Sequence, residues 1–199
     1  MFALGLEREV KLRVPHSDFT EALGSLGLKY ELMDPDFQED IYLDFDDCRL
    51  MLSDFALRVR ISSGVTWITY KGPKRLECGE KVREEVEGPL GSEECEIILR
   101  IFGIYKECPK DLMSLLEDMK KVGLRESVRV RKRRRELRVN RLPLRIYLDH
   151  VEGLGEFVEV EGEGSMELIR RMGMSCMVVI PSYAHLIHVL RSFNNSRPL

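Results

Sequence analysis

Glu7, Glu9 and Lys11 occupy alternate positions in the stretch LGLEREVKLRV, Leu4 to Val14. An extended strand turns successive side chains to opposite faces, so these three share one face while Leu6, Val10, Leu12 and Val14 share the other. The two carboxylates then sit roughly 7 Å apart, two strand rises. That spacing suits a divalent cation bound from more than one side. A solvated strand would carry the same pattern, so the reading depends on whether other strands repeat it.

They do. Arg58 and Arg60 alternate with Leu57, Val59 and Ile61; Thr69 and Lys71 share a face with Trp67; Arg83, Glu85 and Glu87 stand opposite Val82, Glu84 and Val86. Arg145, Tyr147 and Asp149 alternate with Ile146 and Leu148, and Phe157, Glu159 and Glu161 with Val158 and Val160. The run VRVRKRRREL is basic on both faces: Lys132 and Arg134 have one parity, Arg129, Arg131, Arg133 and Arg135 the other. Parity alone leaves that register open. Carboxylates without His or Cys suit hard cations such as Mg²⁺ or Mn²⁺. Guanidinium and ammonium groups suit phosphate oxygens, with Arg offering a bidentate fork.

Elements that could position these residues are legible around them. Strands are expected over Lys29 to Met33 and Gln38 to Asp44, one stretch interrupted by a turn at Asp34-Pro35-Asp36, then over Phe55 to Ile61, Val65 to Gly72, Val82 to Gly88, Leu124 to Leu137, Leu144 to His150 and the stretch after Gly155. Ser63-Gly64 marks a tight hairpin. Pro73 to Lys81 reads as a polar loop. Helices are expected after an N-cap at Ser17, over Ser92 to Ile104, Pro109 to Val122, Gly164 to Met172 and Ser182 to Ser192. Charged inner and apolar outer faces on strand after strand predict an α+β fold, an eight-stranded antiparallel closed β-barrel with a charged lumen and flanking helices. Residues 1–193 read as a single domain and 194–199 as a frayed tail.

Composition narrows the function classes. A chain of 199 residues that is 44% hydrophobic can build one core, and 33% charged residues with a net charge of only -3 make it neither a polyanion nor a polycation. Nucleic acid is therefore disfavoured as a partner, although a phosphate-gripping tunnel that binds RNA ends is the rival for the basic run. The five cysteines lack a C-x-x-C pair, which argues against structural zinc and a disulfide framework. No apolar signal core and no run of ~18 apolar residues is present, so a cytoplasmic setting without a membrane is the expectation. His185 and His188 read as packing or surface residues, His150 as pointing away from the lumen, and Trp67 as a tunnel-mouth or space-filling residue.

Six motifs in order, with matching parity, resemble the CYTH superfamily of triphosphate tunnel metalloenzymes. They are Glu7-x-Glu9-x-Lys11; Leu57-Arg58-Val59-Arg60; Thr69-Tyr70-Lys71-Gly72-Pro73; Arg83-x-Glu85-x-Glu87; Val130-x-Lys132-x-Arg134; and Leu148-Asp149 through Glu159-Val160-Glu161. The third looks most like the class IV adenylyl cyclase branch. The resemblance implies that Glu7, Glu9, Asp149, Glu159 and Glu161 hold Mg²⁺ or Mn²⁺. It implies that Lys11, Arg58, Arg60, Lys71, Arg83, Lys132 and Arg134 grip a triphosphate such as ATP or inorganic triphosphate. Glu85, Asp149 and Lys71 would serve the chemistry. Hydrolysis of a nucleoside or inorganic triphosphate is the expected activity, with cyclisation of ATP to 3′,5′-cyclic AMP and pyrophosphate as the alternative and a non-catalytic polyphosphate binder as a third reading. Ala56, where thiamine-specific members carry an aromatic, disfavours thiamine triphosphate. A homodimer is left open.

Overall fold

The computed structural model describes residues 5–140 and 142–195. Leu4 and the tail 196–199 lie outside the described residues. In chain order the elements are β1 (Gly5–Leu12), α1 (His16–Ser25), β2 (Tyr30–Leu32), β3 (Asp36–Asp44), α2 (Arg49–Leu52), β4 (Ala56–Ser62) and β5 (Val65–Lys71). There follow β6 (Arg75–Glu77), β7 (Glu80–Pro89), α3 (Glu93–Ile101), α4 (Leu112–Lys121), β8 (Arg125–Val139), β9 (Arg145–Val151), β10 (Gly155–Glu161) and α5 (Ser165–Arg171). A 3-10 turn at Ser175–Met177 leads into α6 (Tyr183–Asn195), which runs two residues into the stretch expected to fray.

The strands pair antiparallel in the order β1-β10-β9-β8-β3-β4-β5-β7, and β7 returns to β1, closing an eight-stranded ring. Closure removes every free edge of the ring. The Lys29 to Met33 segment shortens to β2, which pairs only with the end of β8, and β6 flanks β7 outside the ring. Ser63 and Gly64 both have positive φ, 48° and 77°, which closes the β4–β5 hairpin with the twist its strands require.

Two apolar coats cover the barrel's outer wall. Val10, Leu12, Val158 and Val160 pack with Phe19 and Leu23 of α1 and with Leu168 and Ile169 of α5. Ile41, Leu57, Val59 and Ile68 pack with Ile98 and Leu99 of α3 and with Leu115 and Met119 of α4. A third cluster, Val128, Val130, Val151 and Phe157 against Tyr183 and Ala184, seats α6 on the barrel. Val128 and Val130 share the parity of Lys132 and Arg134, so α6 covers the apolar end of a strand face that becomes charged further along.

Three expectations change. The first helix begins at His16 with Pro15 as its cap, and no side chain caps it; the Pro15 carbonyl accepts from Phe19 N at 3.2 Å. The expected polar loop from Pro73 contains β6 and the first residues of β7. Cys95 and Cys108 form a disulfide, Cα atoms 5.7 Å apart, because α3 and the segment entering α4 cross the same barrel wall and bury both sulfurs together. The remaining cysteines, Cys48, Cys78 and Cys176, are free.

Candidate active site

Alternation on the closed strands turns one charged face after another into a common cavity of about 820 Å³. Glu7, Glu9, Lys11, Arg58, Arg60, Lys71, Arg83, Glu85, Lys132, Arg134, Glu159 and Glu161 all line it. The register of the basic strand is thereby fixed: Lys132 and Arg134 face inward and are buried, whereas Arg131 and Arg133 face outward and are exposed. Trp67 is half-buried and does not line the cavity, so it fills space. His150 points outward and is exposed; His185 stands exposed at the rim.

Oxygen atoms of Glu7, Glu9 and Glu161 lie within 4.8 Å of one another, the one such group of potential metal ligands among the described residues. β1 supplies the first two and β10 the third, with Glu9 directly opposite Glu161 in the ladder. The donor set is all carboxylate, which fits a hard divalent cation and does not fit zinc. Burial, reinforced by Glu159, pushes the Glu161 carboxyl up to about 7. Burial would also raise Glu7, but Lys71 and Lys81 outweigh it and hold Glu7 well below its usual range. A cation among these groups would offset the cost of burying them.

The basic residues are held by carboxylates. Lys71 bonds Glu7 at 2.8 Å and Glu85 at 2.9 Å. Arg58 donates to Glu87 at 2.8 Å and to Thr69 at 3.1 Å, and Arg60 forks onto Asp40 at 2.6 and 2.8 Å. Lys11 stands 3.2 Å from Glu159, and Arg134 bonds both Glu159 and Asp149. Lys132 bonds Asp149 at 2.9 Å; its burial, with Arg134 beside it, lowers its pKa to about 8.

Three residues take positions other than the resemblance implied. Asp149 is fully buried on the inner face of β9, the parity of Tyr147 and Val151, at the end of the barrel that α6 covers, and does not line the open cavity; its carboxylate is bonded by Lys132, Arg134 and the Tyr183 hydroxyl, apart from the carboxylate triad. Arg83 borders the cavity, but its guanidinium donates to the carbonyls of Gly72 and Asp54 and braces β7 against the β4 and β5 ends. Glu159 lines the lumen between cations rather than within the triad.

Sequence reasoning missed Asp40, Tyr42, Lys81 and Tyr183, all of which line the cavity. Lys81 bonds Glu9 and fell in the stretch read as loop. Asp40 and Tyr42 could have been found from the alternation of Asp40 and Tyr42 against Ile41 and Leu43 in β3; Tyr183 reaches the lumen from a helix and leaves no strand signal.

The profile of the CYTH domain matches residues 5–168. A Methanocaldococcus jannaschii protein named "Putative adenylate cyclase MJ0240" is 34% identical over 157 residues, covering 78% of this chain and 76% of its own length. The solved structure of PH1819 from Pyrococcus horikoshii OT3 superposes with a TM-score of 0.69 at 26% identity, over 94% of this chain and 99% of that one. The Hippeastrum protein HpAC1, whose structure is described with a dominant triphosphatase activity, shares the fold at 20% identity and a TM-score of 0.59, over 94% of this chain and 96% of its own. A closed barrel with this lumen, matched by that profile over most of its length, places the chain in the CYTH family.

Proposed function

We propose that the chain is a divalent-metal-dependent triphosphatase that cleaves a nucleoside or inorganic triphosphate inside the barrel. The observation that carries this reading is the convergence of Glu7, Glu9 and Glu161 in the same cavity as Lys11, Arg58, Arg60, Lys71, Lys132 and Arg134. Mg²⁺ or Mn²⁺ held by the triad would neutralise phosphate charge and polarise the phosphoryl oxygens. The basic residues bind the phosphate chain and stabilise charge developing on the leaving diphosphate. Burial raises the pKa of Glu85, which suits it to take a proton from the attacking water as the new P–O bond forms and the bridging P–O bond breaks. Lys71, bonded to Glu85, holds that carboxylate in place. Asp149 acts from the α6-covered end of the barrel interior, where its carboxylate holds Lys132 and Arg134 in place.

The name of the Methanocaldococcus relative favours a second reading, cyclisation of ATP by attack of the ribose 3′-hydroxyl on the α-phosphorus with release of pyrophosphate. Incubating the protein with ATP or inorganic triphosphate and Mg²⁺ or Mn²⁺, then resolving phosphate, pyrophosphate and cyclic AMP, separates the two. Phosphate from either substrate is the expected result. Cyclic AMP with equimolar pyrophosphate would replace hydrolysis by cyclisation, and tight binding without product would make the chain a polyphosphate binder.

A further inference from the structure

The segment that seats α6 lies beyond the residues matched by the family profile, 5–168. It is tied to the backbone of the phosphate-facing strand itself: Val178 bridges Leu12, Arg13 N donates to Met177 O at 2.9 Å, and Val179 N donates to Lys11 O at 2.8 Å. Four residues on, Tyr183 enters the lumen end and is 4% exposed. Its ring meets Phe157 edge-on, centroids 5.1 Å apart. Lys11 Nζ lies 4.2 Å from the Tyr183 ring centroid and Lys132 Nζ 5.2 Å from it. The hydroxyl donates to Asp149 Oδ2 at 3.1 Å.

We infer that Tyr183 is a positioning residue whose ring holds the Lys11 and Lys132 ammoniums at the depth where they meet the phosphate chain. An aromatic face attracts an ammonium without neutralising its charge, so both lysines stay available to an anion in a way that additional carboxylate partners would prevent. The hydroxyl fixes the carboxylate behind Lys132, and the backbone bonds to β1 set the ring's distance from Lys11. The inference rests on the triphosphate reading for what the ammoniums bind, but the placement itself can be tested without substrate.

The test uses the full chain as wild type, Tyr183→Phe and Tyr183→Leu, with inorganic triphosphate binding measured calorimetrically in the absence of metal. The ε-methylene resonances of Lys11 and Lys132, assigned with Lys11→Arg and Lys132→Arg, are recorded on the same samples. Tyr183→Leu is expected to weaken binding at least about tenfold, and Tyr183→Phe, which keeps the ring, at most about threefold. Upfield ring-current shifts are expected in wild type and Tyr183→Phe and absent in Tyr183→Leu. Equal weakening by Phe and Leu would assign the effect to the hydroxyl and overturn the inference, as would no weakening by either. If Tyr183→Leu fails to fold, or if wild type binds no triphosphate and the functional reading fails, the ring-current shifts in wild type and Tyr183→Phe decide: present, they support the placement; absent, they overturn it.

Discussion

Glu161 is the triad carboxylate that burial and a neighbouring carboxylate hold back from ionising, which a bound cation would reverse. Its carboxyl is pushed up to about 7 by burial and by Glu159, so at neutral pH it is only partly ionised in the absence of metal. Glu161→Gln keeps the shape and removes the charge. The apparent dissociation constant for Mn²⁺, followed by calorimetry, is expected to rise at least about tenfold, equivalent to ~1.4 kcal/mol; unchanged affinity would remove Glu161 from the metal set. Lys132 governs the alkaline side. Its folded pKa of about 8 lies below the 10.5 of a free lysine, so the unfolded chain binds the extra proton in between. That stability is fully present above the unfolded value and is lost as pH falls through 8. Phosphate binding has the opposite sign, since it needs the ammonium. KM for a triphosphate is therefore expected to rise above pH 8 while thermal stability gains from the same deprotonation, and Lys132→Met should raise KM at pH 7 and abolish the rise above pH 8. A wild-type limb that survives in Lys132→Met would belong to another group.

At the scale of elements, β7 and α3 meet with no spare room at Gly88. A Cβ there would collide with Ser92 Oγ and lie 2.7 Å from Glu94 Cβ, and Ser92 caps α3 by accepting from Cys95 N at 3.2 Å. Gly88→Ala must displace that cap, with an expected cost of about 1–3 kcal/mol. The melting temperature should fall by several degrees, at ~2–4 °C per kcal/mol for a chain of this size, while KM of the folded protein stays unchanged. An unchanged melting temperature would mean that α3 yields without losing its cap. What was legible in the sequence follows the same division. Strand parity alone announced Glu9, Arg58, Lys71 and Glu161, because each alternates with residues that the helices bury, and Glu7 by continuing the alternation of β1 past its buried part. It failed in β8, where Arg131 and Lys132 are equally charged; α6 decides that register by taking Val128 and Val130 on the inner face. It failed at Lys81, because Gly79 and the charges around it conceal the start of β7. No parity could announce Tyr183, whose place depends on the fold of the chain around Lys11, or the Cys95–Cys108 contact, which depends on two segments crossing one wall.

Across the whole molecule the lumen is a closed set of ion pairs, and this determines how it can take a ligand. Glu7 is bonded to Lys71, Glu9 to Lys81, Glu159 to Lys11 and Arg134, and Asp40 to Arg60, within a chain whose net charge is only -3. A divalent cation drawing on Glu7 and Glu9 leaves Lys71 and Lys81 with less compensation in a buried setting, which is costly. A triphosphate drawing on Lys71 and Lys11 leaves carboxylates in the same state. Each ligand supplies what the other removes, so the two are expected to bind with positive coupling of about 1–3 kcal/mol, reciprocal by linkage. Melting temperatures with Mg²⁺ alone, with a non-hydrolysable imido analogue of triphosphate alone, and with both test this directly. The joint shift should exceed the sum of the separate shifts by several degrees in wild type. In Glu161→Gln the excess should largely vanish while the analogue alone still stabilises the fold, a comparison that discounts Mg²⁺ complexing the analogue in solution, which is the same for both proteins. Additive shifts in wild type would mean that the lumen pairs stay intact on binding and that the ligands occupy the tunnel without exchanging its partners.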